Sequence, residues 1–273
     1  MLKHRYIVPV FIGVVLGFLV SHLLLKTSLQ GLWLVGIIFL GLVSWGAFDI
    51  RLGYFLPVYF RHQSEKNRRV ALTFDDGPTI HTQAVLDLLD QYKAKATFFC
   101  IGKQIEKQPE LLRKIYEKQH IIGNHTYTHA SNTGFLSTEK MLEEIRLNDE
   151  LIAEIIHVKP RLFRPPFGVT NPHIAQAVKK TGHKVIGWSI RSLDTLIDDE
   201  DKIINKVTSK LKPGSVILFH DSSEKTIRIV EQLLLFLEEK EYQCVTLEDL
   251  FGIKAYGDSN NRFFDTGKST TQQ

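Results

Sequence analysis

Val70-Ala71-Leu72-Thr73-Phe74-Asp75-Asp76-Gly77-Pro78 is the stretch that decides how this chain folds. An apolar run that short reads as a buried β-strand, and Gly-Pro directly after it reads as the turn that ends one. The strand therefore finishes on two adjacent carboxylates. Like charges side by side repel, and each is costly to bury bare, so the pair calls for a metal, a positive partner or open water. Further along, His125-Thr126-Tyr127-Thr128-His129 supplies two imidazoles. Carboxylate plus paired imidazoles is a ligand set for a divalent cation, and the combination points to metal-assisted hydrolysis.

Working outward, strand-like and helix-like segments alternate. Strands are predicted at residues 69–74, 96–101, 121–124, 162–164, 184–189, 215–220 and 243–246. Helices are predicted over 82–92, from about Ser137 with Leu142, Ile145, Ile152 and Ile156 at helical spacing, after Asn171-Pro172 as cap and first turn up to Gly182, and over 225–240. Such alternation implies an α/β fold around a mostly parallel sheet, and its repeats favour a closed or nearly closed barrel. Barrels of this kind do their chemistry at the carboxyl ends of the strands. Asp75, Asp76, His125, Arg164, Asp194 and His220 all fall at or just after predicted strand ends.

The ends of the chain differ from this domain. No Asp, Glu, Lys or Arg occurs over residues 6–25 or 27–48; a bilayer core takes about 20 apolar residues of helix. Residues 1–50 therefore read as a two-helix membrane anchor turning at Lys26, 51–68 as a linker, 69–254 as the main domain and 255–273 as a disordered tail. The first run is too long for a signal-peptide core and lacks a cleavage site. Lys3 and Arg5 before the hairpin, and Arg51, Arg61, Lys66, Arg68 and Arg69 after it, outnumber the lone Lys26 at the turn. The positive-inside rule then places the domain in the cytoplasm; an extracytoplasmic domain is the alternative. Net charge is +4, and the basic residues cluster where they would meet lipid headgroups rather than forming a stripe for nucleic acid. Cys100 and Cys244 sit in apolar runs and read as buried free thiols.

These motifs resemble the polysaccharide deacetylase family, the NodB-homology domain of carbohydrate esterase family 4. The resemblance covers roughly residues 69 to 250 and rests on Thr73–Pro78, on His125 with His129, on Arg164-Pro165-Pro166-Phe167-Gly168, and on Leu218-Phe219-His220, in that order. It implies a distorted (β/α)7 barrel and removal of N-acetyl groups from an amino-sugar glycan, whether a polymer, an oligosaccharide or a lipid-linked sugar. Asp76, His125 and His129 are the expected ligands of a divalent ion, zinc by default, with cobalt, nickel or manganese satisfying the same donors. Asp75 is expected to act as general base and His220 as general acid, its pKa raised by Asp194. The resemblance further implies that Arg164 holds Asp75 ionised and that the backbone N–H of Phe167 stabilises the oxyanion. Leu218 is expected to line the acetyl pocket and Trp188 the groove.

One motif departs from the family pattern: Arg191 stands where an aspartate is usual and Thr195 where a tryptophan is, which alters the rim of the substrate groove. A glycosidase needs carboxylates set apart on different strands and leaves His129 unexplained. A catalytically silent glycan-binding module on a membrane tether leaves the base and acid unexplained. His62, His81, His120, His157, His173 and His183 are given no role beyond structure.

Overall fold

The computed structural model describes residues 3–257. In chain order the elements are α1 (His4–Leu25), α2 (Gly31–Phe48), β1 (Val58–Tyr59), β2 (Arg69–Gly77), α3 (Thr82–Gln91), β3 (Ala96–Cys100), α4 (Gly102–Lys107), α5 (Pro109–Glu117), β4 (Ile121–Asn124), α6 (Thr138–Ile156), β5 (Leu162–Phe163), α7 (Pro172–Thr181), β6 (Lys184–Ile186), β7 (Ile190–Arg191), α8 (Glu200–Lys210), β8 (Val216–His220), α9 (Glu224–Glu239), β9 (Gln243–Cys244) and α10 (Leu247–Phe251). The strands run β1-β6-β5-β4-β3-β2-β8-β7, with β9 against the start of β2. Every ladder among them is parallel.

The result is a distorted, curled (β/α) barrel. Its distortion lies where one strand was expected over 184–189. That segment is two short strands: β6 pairs with β5, whereas β7 pairs with β8 on the far edge. Gly187 N–H donates to Tyr59 and Ser189 N–H to Val216, so the chain itself bridges the seam where a regular ladder would otherwise run. Two further helices, α4 and α5, fill the predicted gap between the second and third strands; α8 fills another. All three carry shorter apolar stripes than the helices read from the sequence.

Side-chain alternation on β2 builds both layers. Val70, Leu72 and Phe74 face the surrounding helices in the large apolar cluster, with Val85, Leu89, Ile229 and Leu233. Ala71, Thr73 and Asp75 take the opposite face, toward the barrel interior. Caps fall where the sequence placed them: Asn171 accepts from Ile174 N–H with Pro172 at the first turn, and Gly182 ends α7 at φ 74°; Ser137 accepts from Lys140 N–H at the start of α6.

Residues 51–68 are not bare of structure: Tyr54 and Leu56 are buried, and β1 extends the sheet. The boundary placed at 255 also shifts. Ala255 is buried, Tyr256 forms a bridge with Pro160, and its hydroxyl accepts from Ile122 N–H at 2.8 Å. The rest of the expected disordered tail, from residue 258 on, lies outside the described residues. Cys100 and Cys244 are free thiols.

Helices α1 and α2 pack on one another, with Phe11 stacked on Phe39 at 4.1 Å. Both are long and apolar enough to cross a membrane, at about 33 and 27 Å by a rise of 1.5 Å per residue. Their apolar side chains stay exposed, unlike those of core helices.

Candidate active site

In a regular strand, Asp75 and Asp76 would point to opposite faces. Here the ladder register shifts between Asp75 and Gly77, and Asp76 adopts φ 71°. That left-handed kink brings the second carboxylate round to the same mouth as the first. Thr126 (φ 65°), His129 (φ 50°), Phe167 (φ 58°) and Leu193 (φ 67°) are left-handed too. Such conformations cost about 1–3 kcal/mol each in non-glycine residues and concentrate at functional sites.

Asp76 Oδ1 lies 3.5 Å from His125 Nε2 and 3.5 Å from His129 Nε2. Their donor atoms all lie within 4.8 Å of one another. The separations are long for hydrogen bonds. They suit a shared cation: tetrahedral bonds of about 2.1 Å put ligand atoms about 3.4 Å apart. His125 is also set in the right tautomer, because its Nδ1 donates to the carbonyl of Arg164 at 2.7 Å and leaves Nε2 with a lone pair toward Asp76. The donor set and spacing thus fit a divalent ion. Burial works against the charge on Asp76, but the imidazoles of His125, His129 and His220 outweigh it and hold the carboxyl down at about 2. Burial and the neighbouring His125 lower the pKa of His129.

Asp75 sits deeper. Arg164, fully buried, donates through Nη1 to Asp75 Oδ1 at 2.6 Å and to Thr73 Oγ1 at 2.9 Å, through Nη2 to Gly187 O at 3.0 Å and through Nε to Ile186 O at 3.3 Å. Its guanidinium lies 4.2 Å from the ring centre of Phe99. Gly123 makes that stack possible: a side chain there would meet the Phe99 ring at 2.5 Å. Desolvation pulls the Arg164 pKa down against the pull of Asp75. The second oxygen of Asp75, Oδ2, lies 3.8 Å from His125 Nε2, on the side of the ligand cluster.

His220, at the end of β8, is parallel-paired with Asp75. Its Nδ1 donates to Asp194 Oδ1 at 2.9 Å, and its backbone N–H donates to Asp194 Oδ2 at 2.8 Å. Asp194 also accepts from Ser192 Oγ and Thr226 Oγ1. Burial opposes a charge on His220, yet the bond to Asp194 and the fields of Asp75 and Asp76 raise its pKa overall. The same partnership keeps Asp194 below the usual carboxylate range despite burial. His220 Nε2 is left 3.9 Å from Asp76 Oδ2, at the edge of the ligand cluster.

The rim is formed by Phe167, half-exposed with its ring 4.8 Å from that of His129, and by Trp188, against which Gly168 packs. Arg191, the departure noted in the sequence, stands over Trp188 at 5.9 Å. Leu218 is buried on the interior face opposite Thr73. All ten residues singled out in the sequence thus border one mouth or its walls.

Several contributors were not foreseen. Asn148 on α6 donates to Cys100 O and Thr126 O, and Asn124 Oδ1 accepts from Thr126 N–H, so both brace the turn that carries His125. Asn124 also donates to Asp149, which meets His183 Nε2 at 3.2 Å. Asp221 is fully buried, accepts from Thr82 Oγ1 and touches Gly77; burial pushes its carboxyl up to about 7. The only signal for Asp221 in the sequence is its place after His220, and nothing marked Asn148, an asparagine in an amphipathic helix.

Two carboxylates and three imidazoles gathered at the carboxyl ends of parallel barrel strands define a hydrolytic enzyme. Comparison with known proteins narrows the class. Residues 62–186 match the family model described as polysaccharide deacetylase. A peptidoglycan-N-acetylglucosamine deacetylase of Bacillus cereus is 36% identical over 193 residues, covering 68% of this chain and 89% of that protein. A chitooligosaccharide deacetylase of a Bradyrhizobium is 30% identical over 198 residues, covering 67% and 90%. A solved peptidoglycan N-acetylglucosamine deacetylase, in complex with 4-naphthalen-1-yl-N-oxidanyl-benzamide, superposes with a TM-score of 0.68 at 30% identity, over 72% of this chain and 94% of that one. The chain belongs to the polysaccharide deacetylase family, whose members hydrolyse N-acetyl amide bonds.

Proposed function

We propose that this protein is a membrane-anchored, divalent-metal-dependent N-deacetylase of an amino-sugar glycan of the kind its relatives are named for. The observation that carries the reading is that Asp75 and His220 both border the Asp76–His125–His129 cluster, Asp75 beside His125 and His220 beside Asp76. A base and an acid are what amide hydrolysis needs, one for water and one for the leaving amine.

Asp76, His125 and His129 would hold the ion, which when bound supplies Lewis-acid polarisation of a carbonyl and eases ionisation of water. Zinc is the default occupant; cobalt, nickel and manganese suit the same donors. Arg164 donates to Oδ1 of Asp75 and fixes it, leaving Oδ2 to take the proton of the attacking water. The backbone N–H of Phe167 is the assigned donor to the developing oxyanion. Collapse of the tetrahedral species breaks the C–N bond. His220, held protonated by Asp194, gives its Nε2 proton to the departing nitrogen. Leu218 takes the acetyl methyl and Trp188 supports the sugar. Acetate and a free amine are the products.

In this reading residues 1–50 anchor the protein in lipid; the basic flanks of the hairpin support a cytoplasmic domain, with an extracytoplasmic one as the alternative. A reporter fused after Gln273 reads that side directly. For the chemistry, the test is acetate release from tetra-N-acetylchitotetraose by full-length protein in detergent. Release that stops with chelator and returns with zinc is expected. No release from metal-loaded protein would sink the reading.

A further inference from the structure

We infer that the active-site mouth opens alongside the protein's own bilayer, and that its substrate is an N-acetylated saccharide carried on a membrane-embedded lipid anchor. This rests on the deacetylase reading and on the hairpin spanning the membrane, and it adds where the sugar comes from.

The hairpin does not trail from the domain on a loose tether. Thr170, buried three residues after Phe167, donates its N–H to Ala47 O at 3.0 Å. Ala47 is in the last turn of α2. Gly46 packs against the ring of Tyr54, and His4 N–H at the start of α1 donates to Tyr54 O. Lys3 Nζ donates to Gly53 O. Just beyond, Ile50 and Leu56 are buried among Phe163, Ile174 and Val185. Ile50 and Val58 also press on Gly187, whose carbonyl accepts from Arg164. Both membrane helices are therefore clamped to the loop and seam that build the site.

Distances follow from chain geometry. Three residues span at most about 11 Å, so Phe167 stands no further than that from the residue bonded to the end of α2. A headgroup layer is about 5–8 Å deep on each face. The rim thus stands at most about two headgroup layers from Thr170, which is bonded to the end of α2. Rigid attachment at that distance keeps the mouth from reaching a distant polymer, but it meets sugars standing directly on a lipid.

A second observation points the same way. Phe135 is 92% exposed, an expensive position for a bare aromatic ring in water. Its turn is tied to the same loop: Asn171 Nδ2 donates to Gly134 O at 2.6 Å, and Gly134 faces Val169. Trp45 and Phe48, at the end of α2, are exposed as well. Aromatic side chains at this level belong to the bilayer interface. Phe135, on the turn tied to this loop, and Phe167, whose ring lies 4.8 Å from that of His129, both stay exposed, apolar side chains that the inferred membrane surface would cover.

The experiment uses metal-loaded full-length protein reconstituted in phosphatidylcholine–phosphatidylglycerol vesicles. Its probe is tetra-N-acetylchitotetraose joined at its reducing end to a dialkylglycerol, placed either in the same vesicles or in separate ones, with the free tetrasaccharide as control. Acetate release at least tenfold faster from probe in the same membrane than in separate vesicles is expected. Phe135→Ser should raise KM several-fold for the same-membrane probe and leave the free tetrasaccharide unaffected. Equal or faster release from separate vesicles, or a Phe135→Ser effect common to both substrates, would overturn the inference. Failure of the free tetrasaccharide to react would instead remove the deacetylase reading beneath it.

Discussion

Arg164→Met is the sharpest perturbation of the site that does not touch a proposed metal ligand. It removes four polar contacts at once, to Asp75, Thr73, Gly187 and Ile186, and leaves the Asp75 carboxylate buried without its cation. Methionine retains much of the apolar volume against Phe99, so the loss is mainly electrostatic. Removing one partner of a buried ion pair costs about 3–5 kcal/mol. At about 2–4 °C per kcal/mol for a domain of this size, the melting temperature should fall by about 6–20 °C. Asp75→Asn with Arg164→Met takes the charge from both sides and should recover a large part of that loss, a coupling of at least about 1.5 kcal/mol in the double-mutant cycle. Neither the single nor the double variant should release acetate. The assay is a circular-dichroism melt in detergent beside acetate release from zinc-loaded protein. A single variant that melts within about 2 °C of the parent, or single effects that simply add, would refute the claim that Arg164 exists to neutralise Asp75.

His129→Ala should lose bound metal and turnover together, as read by elemental analysis of the purified protein and by acetate release. Asp75→Asn should keep its metal while kcat falls by about 10²–10⁴, the usual worth of a positioned base; undiminished turnover would end its assignment. Asp194→Asn bears on the acid. The pKa of His220 is raised in the folded protein, so its proton is present at low pH and lost as pH rises through that value; without Asp194 the alkaline limb of kcat/KM should move to lower pH. Gly168→Ala forces a side chain into a left-handed position (φ 69°) and against Trp188 at 2.4 Å, which should cost at least about 1–2 kcal/mol in a denaturant melt.

The order of elements and the residues of the mouth were legible because they follow local rules. A strand of apolar residues ends at its first polar pair, and the barrel then brings those ends together; Asp75, His125, Arg164 and His220 needed only that. What was hidden depends on tertiary partners. The break at Gly187 gives no sign in Lys184-Val-Ile-Gly-Trp-Ser, which alternates well enough for one strand; it appears only because two different neighbours claim its halves. Val58 and Tyr59 follow Pro57 inside the segment that reads as a linker, and only pairing with β6 makes them a strand. The kink at Asp76 could not be read either, since aspartate tolerates the left-handed region without requiring it. Asn148 and Asp221 are polar residues whose value comes from what they brace, and a sequence does not display that. Thr73 shows a subtler loss: it fits a buried strand by propensity alone, and its bond to Arg164 requires knowing that the interior face of the barrel is polar at that level.

The seam between β6 and β7 has one further consequence. In an unbroken parallel ladder, main-chain carbonyls are taken up by the adjoining strand. Because the chain changes neighbours here, the oxygens of Ile186 and Gly187 are turned inward to receive a guanidinium. The cation's seat is thus made by an imperfection in the weave. An idealised barrel, redesigned with even staves and full pairing, would gain regularity and lose the socket that holds Arg164 against Asp75.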